Sequence, residues 1–347
     1  MTRVGIIGAR GFVGGELLRL LLQHPDLQVS YVTSESQAGA RLDAAFPALC
    51  GRFDLTFSSF DADAAAATAD AFLMALPDGD AMRLAGSLLQ RGKRVVDISG
   101  DFRVRDAQRY RQWYSREHSA PELLERAVYG LPELHPEVRE ARLVANPGCY
   151  PTAALLALAP LVRRRLAKID SLIIDGKSGI SGAGGRVGMR EEYSFPATNE
   201  NARAYSVVGH RHTAEIEQEL ERLAGASSQT AISFTPHLIP ATRGCYLTCY
   251  LSLAGHVAAE ECLSFYEEDY GRCPFVRITD APPELKQTLG SNFCLIHATI
   301  DPRTGRAICI GAIDNLVKGA AGQAMQNLNL MLGLPETAGL TATALWP

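Results

Sequence analysis

Residues 3–25 read "RVGIIGARGFVGGELLRLLLQHP". A short β run, Val4 to Ile7, leads into Gly8, Gly11 and Gly14, and then into a helical pattern with Leu17, Leu18, Leu21 and Leu22 on one face. Glycines at this spacing let the chain turn tightly and let a pyrophosphate come up against the backbone, while the helix start offers N–H groups to its charge. A glycine-rich turn alone is common. Set between a strand and an amphipathic helix, it points to a dinucleotide.

The following stretches extend this reading. "LQVSYVTSES" (27–36) predicts a second strand, ending where a carboxylate would hold the ribose 2′-hydroxyl of NAD. Here the chain has Thr33, Ser34 and Ser36, with Glu35 among them and Arg41 further on. Hydroxyls with an arginine suit a 2′-phosphate, so NADP(H) is expected ahead of NAD. "AFLMALPDG" (71–79), "DAMRLAGSLLQRG" (80–92) and "KRVVDISGDFR" (93–103) then alternate strand, helix and strand. Such alternation predicts an α/β fold, a Rossmann-type doubly wound parallel sheet covered on both faces. Leu76–Gly79 and Ser99–Arg103 fall at carboxyl ends of its strands, where ligands gather. Residues 106–133 read as polar and irregular, wrapping the domain edge.

At 347 residues the chain exceeds one ordinary core, and two domains are expected. A net charge of −4 argues against a nucleic-acid or membrane surface, since either would call for a basic excess. No uncharged apolar run reaches the ~18 residues that a membrane helix needs, and the N-terminus lacks a signal-peptide pattern. The eight cysteines, at 50, 149, 245, 249, 262, 273, 294 and 309, lack the pairing of a zinc site. Reduced thiols and a cytoplasmic location are expected.

"ARLVANPGCYPTA" (141–153) predicts a strand, a turn, then Cys149 at the start of an apolar helix. Peptide dipoles aligned at a helix start favour a thiolate. A small core residue at a strand–helix junction would look the same, and both readings stand at this point. "DGKSGISGAGGRVG" (175–188) carries six glycines, a backbone able to present several N–H groups to an anion. "YSVVGHRHTAEIEQEL" (205–220) places His210 and His212 before a helix with an acidic first turn. Without a third ligand in view, a metal is a weak reading; a Cys–His pair with histidine as acid and base fits better. "PHLIPATRGCYLTCYLSL" (236–253) reads as an antiparallel strand with Arg243 at a bend. A hairpin turning at residues 301–305 and a long C-terminal helix follow. The second domain is therefore expected to be α+β with a mixed or antiparallel sheet, and the last helix to return to the first domain.

"GARGFVGGELLRLL", "NPGCYPTA", "GKSGISGAG", "GHRHTAEI", "PATRG" and "AIDNLVKGAAGQAMQNLN" occur in the order and approximate spacing of the N-acetyl-γ-glutamyl-phosphate reductase family, which the chain resembles from about residue 2 to its end. That family is related to aspartate-semialdehyde dehydrogenase and shares its two-domain plan. The resemblance implies a dinucleotide-binding domain of residues 1–148 plus 314–347, and a catalytic, substrate-binding and oligomerisation domain of 149–313. It implies that Cys149 attacks an acyl phosphate, that NADPH reduces the thioester, and that His210, with His212 in reserve, handles the proton. Cofactor contacts are expected from Gly8, Arg10, Gly11, Phe12, Val13 and Gly14, from Ser34 and Ser36, and from Ser181, Gly182 and Asn315. Arg103, Asn146, Arg211 and Arg243 are the candidates for substrate phosphate and carboxylate. Lys318, near the last helix, stays open between a cap and a cofactor contact. A homodimer or homotetramer, built through the second domain's sheet, is the expected assembly.

Family members often carry His where this chain has Asp78, Pro where it has Ala214, and a single Gly before Arg186; none of these changes removes a reacting group. Two other functions remain in view. One is the sister reductase for aminoadipyl phosphate in the lysine route, since a methylene is worth only ~1–3 kcal/mol of discrimination. The other is a dinucleotide sensor without catalysis, which would be expected to lose the cysteine or the histidine.

Overall fold

The computed structural model describes residues 1–188, 190–225 and 230–345, leaving aside the side chains of 185–188 and 260. The chain divides into two compact units, Met1–Pro147 with Ala320–Ala342, and Gly148–Gly319 with Thr343–Pro347. Residues 314–319, assigned by the sequence to the first domain, thus lie with the second unit. The reason is local: Asp314 accepts from Gly290 N–H and Asn315 from Gly244 N–H, both partners in that unit.

The first unit is built on six strands, β1 (Thr2–Ile7), β2 (Leu27–Val32), β3 (Ala71–Met74), β4 (Arg94–Asp97), β5 (Val128–Tyr129) and β6 (Leu143–Ala145), in the order β2-β1-β3-β4-β6-β5. Every pairing is parallel. All four residues of β3 are buried, as a parallel sheet covered on both faces requires. From β1 the chain goes outward to β2 and then returns to β3 on β1's other side, so the strand order reverses at β1. Ligands of such sheets bind at this reversal, beyond the carboxyl ends of the strands. Gly8 stands there at φ +83°, and a side chain on it would come within 2.5 Å of the Ala75 carbonyl.

The stretch 106–133 is more regular than its polarity suggested. Asp106 accepts from the Arg109 N–H at 2.6 Å and starts a helix, Ala107–Tyr114, in which only Tyr110 is buried. One apolar anchor among polar residues leaves little periodicity to read. The C-terminal helix, Gly322–Met331, is buried throughout. Two of its asparagines are matched: Asn327 donates to Gly130 O at 2.8 Å and to Asn146 Oδ1 at 2.9 Å, and Asn329 Oδ1 meets His24 Nε2 at 3.0 Å.

The second unit holds β7 (Ala167–Ser178), β8 (Arg203–Ala204), β9 (Ser233–Leu238), β10 (Cys245–Leu253), β11 (Val276–Ile278), β12 (Cys294–Asp301) and β13 (Arg306–Ile313), in the order β11-β12-β13-β10-β7-β9-β8. β7/β9 and β11/β12 are parallel and the other pairs antiparallel. The mixed sheet expected from the hairpin is therefore present. Burial alternates along β10 and β12, giving the sheet one covered face and one half-buried face. Helix Cys149–Arg163 is itself buried almost throughout, with Leu155, Leu156, Leu158 and Leu161 at 0% exposure. Truncating any one of these leucines to alanine would cost about 2–5 kcal/mol. The nucleophile candidate thus sits at the start of the best-anchored helix in its unit.

Candidate active site

In the first unit the three glycines have different tasks. Gly8 N–H donates to Thr33 Oγ1 at 3.1 Å, tying the turn to the end of β2. Gly14 lies against the Ala9 backbone, where no side chain would fit. Gly11, with open space around it, is the N-cap of helix Phe12–Leu21 and places no side chain over the helix N–H groups. An anion can therefore reach that end. Arg10 and Phe12 are exposed and Val13 is half-buried beside it. The Arg10 guanidinium lies 5.5 Å from the centre of the Phe46 ring. Ser34 is buried and Ser36 exposed, with their hydroxyls 3.5 Å apart. Glu35, the carboxylate that could have gripped a 2′-hydroxyl, accepts instead from the Phe60 N–H at 3.0 Å. Arg41 is engaged by Asp43 at 2.8 Å and Asp54 at 3.2 Å.

In the second unit Cys149 is the first residue of its helix and half-buried. Gly148, the N-cap, contributes no side-chain cap, and its own N–H donates to Glu215 Oε1 at 2.8 Å. Glu215 is fully buried. The thiol-bearing carbon is pressed from the side by Gly319, where a β-carbon would come within 2.7 Å of Cys149 Cβ. Gly319 belongs to a π-helical turn, Val317–Ala321, closed by its N–H donating to Asp314 O at 2.9 Å.

His212 opens helix His212–Ala224, and its Nε2 edge lies against Gly148, leaving no room for a β-carbon there. The His212 N–H donates to His210 Nδ1 at 3.2 Å, which leaves Nε2 as the protonated nitrogen of a neutral His210 ring. The two rings meet edge to face at 4.7 Å, and both pack against Tyr150. Tyr150 donates to His237 O at 3.1 Å; burial drives its hydroxyl far above the usual tyrosine range, so it stays protonated. Arg211 is half-buried: burial lowers its pKa, and Glu215 opposes that shift.

Arg243 is partly exposed and reaches Asp314 Oδ2 at 3.5 Å, while the other Asp314 oxygen accepts from Leu316 and Val317 N–H. Asn315 Oδ1 accepts from Gly244 N–H at 2.6 Å and its Nδ2 donates to Ser181 Oγ at 3.0 Å, with Gly182 packed alongside. Ser181, Gly182, Asn315 and Arg243 therefore form one cluster. Lys318 is buried with its ammonium 5.6 Å from the centre of the Phe275 ring.

Two substrate candidates make their hydrogen bonds within the first unit. Arg103 donates to Asn146 O and Ile98 O, each at 2.7 Å, and is 8% exposed. Asn146 is fully buried, donating to Ala320 O at 3.1 Å and accepting from Asn327. Both hold the turn before Cys149 from within the first unit. Asp78 accepts from Gly100 N–H at 2.9 Å, and Ala214 is buried in its helix. The side chain of Arg186 lies outside those described. Glu215 was not singled out in the sequence, although the acidic first turn pointed to it. Nor was Cys245, whose ionisation is disfavoured by burial and by the neighbouring thiol of Cys149. Among the described residues no three His, Cys, Asp or Glu side chains group as a metal site, and no helix is long and apolar enough to cross a membrane.

Residues 3–141 match the semialdehyde dehydrogenase NAD binding domain, and 149–315 the semialdehyde dehydrogenase dimerisation domain. The N-acetyl-gamma-glutamyl-phosphate reductase of Pelotomaculum thermopropionicum is 48% identical, covering 100% of this chain and 99% of the relative. That of Symbiobacterium thermophilum is 49% identical, covering 97% of each. Among solved structures, aspartate semialdehyde dehydrogenase II of Vibrio cholerae complexed with ASA superposes with a TM-score of 0.72 at 17% identity, over 96% of this chain and 98% of that one. The Candida albicans aspartate semialdehyde dehydrogenase with NADP gives 0.70 at 16%, with the same coverage. The domain match makes a nicotinamide dinucleotide the cofactor class of the first unit.

Proposed function

The chain belongs to the N-acetyl-gamma-glutamyl-phosphate reductase family, and from that premise we propose that it reduces N-acetyl-glutamyl 5-phosphate to the 5-semialdehyde through a thioester on Cys149, as a step of arginine biosynthesis. The observation that carries the mechanism is Cys149 at the uncapped start of its helix, beside Gly148 and the ring of His212. Dipoles aimed at the sulfur favour the thiolate. Its attack on the acyl carbon expels phosphate and forms the thioester. NADPH, when bound, would supply the hydride that, together with a proton from protonated His212, turns this into a thiohemiacetal. His212 then takes the hydroxyl proton as the aldehyde forms and Cys149 leaves as thiolate. The sequence put His210 first. Its Nδ1 holds the His212 N–H and its ring is packed by Tyr150, Tyr205 and Phe234, so we assign it the task of orienting His212.

The residues of the first unit fit the cofactor. The Gly8–Gly14 turn and the open helix start would hold the pyrophosphate, with Arg10, Phe12 and Val13 beside it. Ser34, Ser36 and Arg10 would take the 2′-phosphate, while Glu35 is turned to Phe60 N–H. Ser181, Gly182 and Asn315 are assigned the nicotinamide half. Arg211 and Arg243 are left for the substrate's phosphate and carboxylate. A homodimer or homotetramer would use the half-buried face of the second sheet, which carries Tyr246, Tyr250, Leu295, Ile308 and Ile310.

The test is phosphate-dependent reduction of NADP⁺ by N-acetyl-glutamate semialdehyde, wild type beside Cys149→Ala. Activity in the first and none in the second, with cofactor binding retained in both, is expected. Turnover only of the aminoadipate semialdehyde analogue would move the chain to the lysine-type reaction, and a fully active variant would end the thioester mechanism.

A further inference from the structure

Cys245 is the first residue of β10 and is 0% exposed. Its thiol has that of Cys149 as a neighbour; burial and this neighbour together disfavour its ionisation, and Cys149 is itself only half-buried. On the sheet Cys245 pairs with Ser178 on one side and Ile313 on the other, and Ile313 pairs in turn with Cys294. The space that would hold a Gly319 side chain is bounded by Cys149 Cβ at 2.7 Å and Ile313 Cδ1 at 3.3 Å, which seats the nucleophile over this part of the sheet. Cys149 is partly exposed, and Cys245 is not.

We propose that Cys149 and Cys245 form a peroxide-driven disulfide site, with Cys149 the sulfur that is oxidised and Cys245 the one that resolves it. The proposal rests on Cys149 being the reactive thiol. Its thiolate attacks one oxygen of hydrogen peroxide; an S–O bond forms, the O–O bond breaks, hydroxide leaves, and the sulfur gives up two electrons to the peroxide. The Cys245 sulfur then attacks the Cys149 sulfenic acid. An S–S bond forms, the S–O bond breaks, and the departing hydroxide takes the Cys245 proton and leaves as water. Burial pushes the Cys245 thiol well above its ordinary range, so that proton is in place when the oxygen departs. Because Cys245 is sealed off, it meets no external thiol or oxidant directly. The product is an inactive but recoverable enzyme whose nucleophile is kept from the irreversible sulfinic and sulfonic acids. Cys249 and Cys309 face each other in register but are both fully buried, and no comparable route for a peroxide reaches them.

The full-length reduced enzyme is treated with hydrogen peroxide without substrate, alkylated, and digested with trypsin and then chymotrypsin, which separates Cys245 from Cys249 at Tyr246. The expected result is loss of activity together with two of the chain's eight thiols, a cross-linked peptide pair carrying Cys149 and Cys245, and recovery of activity with dithiothreitol. Cys245→Ala, scored against its own starting activity, should be inactivated without dithiothreitol recovery, its Cys149 found as the sulfinic or sulfonic acid. Should that variant not fold, the wild-type peptide map decides alone. Cys149 carried to the sulfinic acid with Cys245 still alkylatable, or cross-linked to Cys294, would overturn the disulfide while leaving Cys149 as the reactive thiol. A Cys149 untouched by peroxide would overturn both.

Discussion

The Gly148 N–H and the Glu215 carboxylate are joined at 2.8 Å, and that one bond ties the start of the Cys149 helix to the helix that begins with His212. Glu215 is fully buried, so its charge acts at close range on both the turn and Arg211. Glu215→Ala strands a buried N–H and is expected to lower stability by about 1–3 kcal/mol. Glu215→Gln keeps an acceptor and should largely restore the melting temperature, while kcat stays reduced. Thermal melts and steady-state kinetics on the two variants check this; equal kcat in wild type and Glu215→Gln would remove Glu215 from the site's machinery.

Gly319 leaves no room for a side chain beside the β-carbon of Cys149. A methyl group there must displace either Cys149 or the π-helical turn, since the spacing of 2.7 Å is too short for two carbons. Gly319→Ala should lower kcat by roughly 10²-fold, the usual effect of shifting a reacting group by about 1 Å. Iodoacetamide alkylation of Cys149 should slow alongside. Normal kcat in a folded variant would mean the turn moves without cost.

The two histidines should separate in kinetics. His212→Asn is expected to lose ~10²–10⁴-fold in kcat, the range of acid–base assistance, and the basic limb of its pH–rate profile. His210→Asn should lose less and keep the profile's shape. The reverse ranking would return the proton to His210.

Cofactor preference is expected to follow residues 34–36. Ser36 is exposed, so a carboxylate placed there repels a 2′-phosphate without disturbing the core. Ser36→Asp should raise KM for NADPH about 10-fold or more, the loss of a phosphate contact plus repulsion, and leave NADH nearly unchanged. Parallel loss with both cofactors would show that the 2′-phosphate is bound elsewhere.

Asp97 gives the first unit a pH signature. Full burial and the nearby Asp101 raise its pKa to about 7. The folded chain therefore holds a proton there that the unfolded chain releases from about pH 4 upward, so this group's contribution to stability falls as pH rises through about 7. Asp97→Asn removes the titration and keeps the bonds to Ser99 N–H and Oγ. The variant should gain stability on wild type between about pH 4 and pH 7, by an amount on the order of a few kcal/mol at most, read by denaturant melts at each pH. A constant difference across that window would mean Asp97 is ionised in the fold.

Much of this was legible in the chain because it was local. The β1–turn–helix unit and the placement of Cys149 at a helix start both depend on residues within a few positions of each other. What stayed hidden depends on long-range meetings. Arg103 looks like any anion-binding arginine until its nitrogens are seen on the carbonyls of Asn146 and Ile98. Asn146 looks like a polar turn residue until Asn327, far along the chain, closes on it. Cys245 reads as one more strand cysteine, since no periodicity reveals that the thiol of Cys149 neighbours it. The helix Ala107–Tyr114 was missed for a different reason, its signal being a single cap and a single buried ring.

The most direct measurement mixes the enzyme with enzymatically generated N-acetyl-glutamyl 5-phosphate in the absence of reduced cofactor, and follows inorganic phosphate and protein mass. The account predicts a burst of phosphate stoichiometric with enzyme, and an N-acetyl-glutamyl group on the peptide that carries Cys149. Phosphate release that waits for NADPH, or an acyl group on any other residue, would contradict it.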